Sequence, residues 1–158
     1  MKVVIVGGVA GGATAAARIR RLDEEAQIVV FERSGYISYA NCGLPYYIGG
    51  VITDQAELTL QTPESFWQRF RVDMRVRHEV IAIRPERKAV SVRNLSTGET
   101  FEESYDKLLL SPGAKPTQPE LPGVGQVFTL RTVEDTLRIH EFVKTHHPRS
   151  VVLAGGGF

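Results

Sequence analysis

The opening stretch, as far as Glu32, constrains this chain more than any other part of it. Val3-Val4-Ile5-Val6 is an unbroken β-branched run, the pattern of a strand buried on both faces of a parallel sheet. It runs into Gly7-Gly8-Val9-Ala10-Gly11-Gly12, and Ala13-Thr14-Ala15-Ala16-Ala17 then begins a segment of strong helix formers. A second buried-type strand, Gln27 to Phe31, ends at Glu32, 20 residues beyond Gly12. Gly7 allows a tight turn, Gly12 lets helix and strand approach, and the helix N-terminus is left to face an anion. A carboxylate at Glu32 is suited to a ribose hydroxyl pair. The middle glycine of G-x-G-x-x-G is Val9 here, and a tight turn without ligand uses similar glycines. The register of strand, helix and acid favours a dinucleotide-binding βαβ unit.

On the helix that follows, Gly12, Ala16, Ile19 and Leu22 share one face and are expected to pack on the sheet. Thr14, Arg18 and Arg21 share another. Two guanidiniums on one face suit a phosphate-bearing partner, although solvated charged faces look the same. Thr62-Pro63-Glu64 is a helix start with Thr62 as N-cap, and the Phe66, Trp67 and Phe70 of that helix read as core. Short alternating segments follow at Met74–Arg77, Val80–Arg84, Ala89–Arg93 and Glu99–Tyr105. They are expected to form an antiparallel β-meander ahead of a buried strand at Asp106–Leu110. The Pro- and Gly-rich run Ser111–Pro119 marks a domain boundary. Thr132-Val133-Glu134-Asp135 opens a further helix through about Thr145. His140, His146 and His147 lie on or beyond it and are expected to be solvated or to sit against the helix C-terminus.

The single cysteine, Cys42, falls in Ser38-Tyr39-Ala40-Asn41-Cys42-Gly43-Leu44-Pro45-Tyr46-Tyr47. A lone thiol is commonly a small buried hydrophobe. At a helix N-terminus, however, the backbone dipole favours the thiolate. One cysteine excludes an internal disulfide scaffold and fits a reducing compartment. The formal charge of +1 gives no case for nucleic acid or membrane, no apolar run approaches a bilayer span, and no His/Cys spacing suggests a metal. The N-terminus reaches glycine too early for a signal peptide, so a cytoplasmic location is expected. Val151-Val152-Leu153-Ala154 reads as another buried-type strand entering glycines. A second nucleotide-binding unit would need more chain after it, so the 158 residues are expected to be a fragment, with that strand disordered or paired elsewhere.

With GGVAGG, Glu32, SYANCGLPYYIGG, SPGAKP and VVLAGGGF together, the chain resembles the FAD-dependent pyridine nucleotide–disulfide oxidoreductases. The likeness is narrower still to their single-cysteine branch, which includes enzymes that reduce coenzyme A disulfide. The resemblance implies a Rossmann-like α/β FAD-binding domain with a parallel sheet and an inserted antiparallel meander. Residues 1–111 would be its N-terminal part, and residues 112–158 the crossover, helix and first strand of a second, NAD(P)H-binding domain.

It also implies roles by residue. Gly7, Gly8, Val9, Ala10 and Gly11 would meet the FAD pyrophosphate, Glu32 the adenosine ribose and Val80 the adenine, with Arg33 also at the cofactor. Ser111, Pro112 and Gly113 would line the flavin side, with Arg131 near the cofactor. Cys42 would be the redox nucleophile. Thr14, Arg18, Arg21, Ser38 and Asn41 would contact coenzyme A. The basic position that members carry after the Phe66 helix is Phe70 here, leaving Arg69 or Arg71 to substitute, with Arg71 the candidate. Two-cysteine relatives have a C-x-x-x-x-C pair whose second position is Tyr47 here, so a mixed disulfide with a small thiol is implied. Peroxidases and oxidases of the branch work through a sulfenic acid and usually carry a histidine where this chain has Ala10. A full-length homodimer acting on a small disulfide is the expectation, with the isolated fragment inactive or a bare FAD-binding module.

Overall fold

The computed structural model describes residues 1–118, 120, 122–123 and 127–155. Four strands form a parallel sheet: β1 (Lys2–Val6), β2 (Gln27–Glu32), β3 (Asp73–Val76) and β7 (Lys107–Leu110), in the order β3-β2-β1-β7. Three more, β4 (His78–Arg84), β5 (Ala89–Asn94) and β6 (Thr100–Ser104), form a separate antiparallel sheet. The helices are α1 (Ala10–Leu22), α2 (Leu44–Ile48), α3 (Pro63–Phe70) and α4 (Val133–His146). The architecture is α/β, as expected from the sequence.

Strand alternation divides the core in two. Val3, Ile5, Ile28 and Val30 point to one face and pack with Ala13, Ala16, Phe66 and Met74 of the helical layer and the β3 edge. Val4, Val29 and Phe31 point to the other and pack on Val90 and Val92 of the meander. The central strands are therefore covered on both faces, which is why they contain little but apolar residues. A third cluster joins Tyr39, Leu44, Tyr47 and Leu58 to Val133, so α2 and the start of α4 pack together.

Several local expectations change. Met74–Arg77 is not part of the meander: β3 pairs parallel with β2, from Val29↔Asp73 to Glu32↔Val76. The reason is topological. The long connection through α3 returns the chain in the same direction, as a parallel crossover requires, whereas only tight turns link β4, β5 and β6. Leu22 is 70% exposed, because the buried stripe of α1 runs through Gly12, Ala13 and Ala16 and Leu22 has rotated off it. Trp67 is 48% exposed, while its neighbour Phe66 faces the sheet. Residues 151–155 form no strand and are exposed.

The two helix starts read from the sequence are built as capping boxes. Thr62 and Ser65 cap α3 reciprocally, and Thr132 and Asp135 do the same for α4. No helix among the described residues is long and apolar enough to cross a membrane.

Candidate active site

Strand order places the site. The chain adds β2 and β3 on one side of β1 and then β7 on the other, so a crevice opens beyond the C-terminal ends of β1 and β7. Gly7 leaves β1 at φ +98°, and its N–H donates to Phe31 O at 2.8 Å. A Cβ at Gly7 would lie 2.0 Å from Ser111 O, and one at Gly12 would lie 1.8 Å from Gly7 O. No side chain larger than hydrogen fits at either position.

Helix α1 begins immediately afterwards. Val9 provides no side-chain cap and the first turn holds no acid. The first helical bond runs from Ala13 N to Val9 O, which leaves the N–H groups of Ala10, Gly11 and Gly12 as the free donors of a helix start. A glycine turn running into a helix whose first-turn N–H groups are free, and whose first turn holds no acid, fits a pyrophosphate.

Glu32 ends β2 only 8% exposed. Its Oε2 accepts from Gly8 N and its Oε1 from Ser34 N, both at 2.8 Å. The carboxylate is thereby fixed below the glycine turn with lone pairs to spare.

A cavity of about 270 Å³ follows, bordered by Gly7, Glu32, Arg33, Val80, Pro112 and Gly113. His78, Glu79 and Lys115 also border it; of these, only Lys115 had a signal, from SPGAKP. A smaller cavity of about 80 Å³ brings Val9, Asn41, Ser111 and Arg131 together. Gly8 sits beneath them through its bond to Glu32, and Gly11 packs against Ser111.

The other side of α1 faces a cavity of about 680 Å³. Thr14, Arg18 and Arg21 line it from α1 and Ser38 from the loop after β2, while α3 contributes Arg69 and Phe70. Ala10 opens onto this side. Arg71 is not among its walls. It leaves α3 in the left-handed region at φ 50°, with its guanidinium 5.8 Å from the Trp67 ring.

Cys42 lies on a short 3₁₀ turn, Asn41–Gly43, just before α2, and is exposed. It lines none of these cavities, although Ser38, Tyr39 and Ala40 border the largest and Asn41 the smallest. Tyr47, five positions on, is buried with its ring 4.8 Å from that of His140. This contact gives one of the three histidines a packing role that helix spacing alone did not reveal.

Tyr39 is also buried. Burial, followed by the nearby carboxylates of Glu32 and Glu134, pushes its phenol above the ordinary value. Glu134 reaches back from α4 and accepts from Gly35 N at 2.9 Å, a long-range contact with no sequence signature.

Comparison with known proteins decides the family. The model of the pyridine nucleotide-disulphide oxidoreductases matches residues 1–158. The chain belongs to that family.

Among curated relatives, a coenzyme A disulfide reductase of Staphylococcus aureus is 48% identical over 157 residues, covering 99% of this chain and 36% of that protein. The crystal structure of a reduced Bacillus anthracis CoADR-RHD superposes with a TM-score of 0.91 at 54% identity, covering 94% of this chain and 27% of that one. A water-forming NADH oxidase from Lactobacillus brevis, bound to NADH, gives a TM-score of 0.83 at 31% identity, covering 92% and 32%. The chain thus spans about a third of the length of the curated relatives it matches. The family is FAD-dependent and uses NAD(P)H.

Proposed function

We propose that the full-length protein uses NAD(P)H and FAD to reduce coenzyme A disulfide, or a similar small phosphate-bearing disulfide, through Cys42. The supporting observation is continuity of the backbone. Ser38–Ala40 borders the arginine-lined cavity, Asn41 borders the cavity shared with Ser111 and Arg131, and Cys42 is the next residue.

In this reading the glycine turn and the first-turn N–H groups of α1 hold the FAD pyrophosphate, through Gly7, Gly8, Val9, Ala10 and Gly11. Glu32 and Arg33 meet the ribose, Val80 the adenine, and Ser111–Gly113 with Arg131 the flavin side. Bound FAD supplies the two electrons that it takes from NAD(P)H. Thr14, Arg18, Arg21, Ser38 and Asn41 hold the substrate.

The Cys42 thiolate attacks one sulfur of the disulfide, forming Cys42–S–S–R and expelling R–S⁻. Two electrons then cleave the mixed disulfide, returning the Cys42 thiolate and a second R–S⁻, which takes up a proton. Tyr47 occupies the position where a second cysteine would resolve the intermediate internally, so a single-thiol cycle follows.

The division into residues 1–111 and 112–158, a homodimeric full-length protein and a cytoplasmic location belong to the same proposal. The isolated 158-residue chain is expected to show no NAD(P)H turnover. A second reading, a Cys42 sulfenic acid in an NADH oxidase, is supported by likeness to the Lactobacillus brevis enzyme. Ala10 counts against it, because its methyl group cannot assist oxygen chemistry.

The test is Cys42→Ser in the full-length protein. The expected result is loss of coenzyme A disulfide reduction with flavin absorbance retained. Wild-type turnover by the serine variant would overturn the mechanism.

A further inference from the structure

Three arginines, Arg18, Arg21 and Arg69, line the largest cavity. Its walls carry no carboxylate, and among the described residues neither Arg18, Arg21 nor Arg69 forms an ion pair, unlike Arg75, Arg77, Arg87 and Arg138. Three guanidiniums gathered without a counter-charge repel one another, and a multiply anionic ligand relieves that repulsion.

The α3 wall of this cavity is held by one residue. Arg20 follows Ala16 by four positions and so continues the inward-facing stripe of α1. Its Nε donates to Phe70 O at 2.8 Å, and its Nη2 donates to Ala26 O at 2.7 Å and Arg71 O at 3.0 Å. Its Nη1 donates to Asp23 O and Glu24 O. All five guanidinium donors end on backbone carbonyls, the most such a group can make. The clamp ties the α1–β2 turn to the last residues of α3. It therefore fixes the backbone immediately after Arg69 relative to the helix that carries Arg18 and Arg21.

We propose that Arg69 is the third cation of the substrate site, selecting disulfides that carry phosphate, and that Arg20 is the positioning residue that holds it there. This rests on the reading of the cavity as the substrate site of the Cys42 reaction. Arg69 lines the cavity with its guanidinium over the ring of Phe70, which lines it too, whereas Arg71, beyond the helix and over Trp67, lies outside its walls.

The experiment measures binding of coenzyme A and of phosphate-free pantetheine to the full-length protein, alongside turnover of coenzyme A disulfide. Arg69→Gln is expected to raise the Kd for coenzyme A about tenfold, the loss of one charge-assisted contact at a partly exposed site. The Kd for pantetheine should change less than twofold. Arg71→Gln should have the smaller effect on coenzyme A. Arg20→Lys keeps the charge but loses the fork and should weaken coenzyme A several-fold. Combined with Arg69→Gln it should add little, because both remove the same contact.

An unchanged ratio of the two Kd values in Arg69→Gln, or a larger effect from Arg71→Gln, overturns the assignment of Arg69. Additive losses in the double variant overturn the role of Arg20. Absence of disulfide turnover in a wild-type protein that binds coenzyme A through Arg69 would instead defeat the reading of Cys42 and leave this assignment standing.

Discussion

Val3–Gly7 and Val151–Gly155 present nearly the same order of residues, an apolar run passing into glycine. Both glycines adopt φ +98°, so the two share that backbone angle. The surroundings are opposite. Val4 and Ile5 are fully buried between β2 and β7, whereas Val151, Val152 and Leu153 are 78%, 92% and 84% exposed. An apolar run becomes a strand when neighbouring strands take up its N–H and C=O groups, and its own residues cannot supply those partners. Near Val151 no such neighbour exists among the described residues.

Substitutions can break that comparison, and the largest effect is expected at Gly12. Alanine there would drive a Cβ into Gly7 O, and backbone on both sides leaves nothing to yield, so a loss of about 4 kcal/mol or more is expected. Gly155→Ala meets nothing within 4 Å and should cost about 1 kcal/mol or less despite its φ. Denaturant midpoints of the two variants would show whether the shared backbone angle or the unshared packing matters. Equal losses would sink the packing argument.

Next comes Ile5→Ala against Val152→Ala. A fully buried isoleucine leaves a cavity and should cost about 3 kcal/mol, while the exposed valine should stay within about 0.5 kcal/mol. A comparable loss at Val152 would mean that the C-terminal run is packed after all.

Helix α4 lies between these extremes, with Val133 and Thr136 buried at its start and Phe142 and Val143 more than a third exposed later. Thr132→Ala removes the cap that accepts from Asp135 N and should cost about 1 kcal/mol of global stability. If it unfolds α4 alone, detected by hydrogen exchange with β1 still protected, the packed unit ends before Thr132.

The smallest effect concerns Tyr39, beneath the start of α4. Its phenol is held neutral by burial first and by Glu32 and Glu134 next. A raised native value means that the folded state keeps its proton where the unfolded state has lost it. This contribution to stability is therefore fully present below the ordinary value near 10 and is lost as pH rises through the native value. Tyrosinate absorbance of wild type minus Tyr39→Phe should rise only above that ordinary range. A transition at or below it would show that α4 does not cover the site.

Much of this was legible in the residues alone. The opening βαβ unit, both helix starts, the meander and the glycine turn depend on dihedral preferences and on periods of two or 3.6 residues, which neighbours in sequence set. Glu32 was legible because a fixed helix length brings the end of β2 back beside the turn. Only the tertiary structure decided that Met74 joins the parallel sheet, since its apolar pattern suits either sheet and the α3 crossover chooses. It alone separated Arg69 from Arg71. The two lie two positions apart in sequence, but α3 ends between them and the chain turns left-handed at Arg71. Arg69 borders the cavity that Arg18 and Arg21 line, with its guanidinium over Phe70, and Arg71 lies over a tryptophan outside it, because the helical path that carries the first has ended before the second.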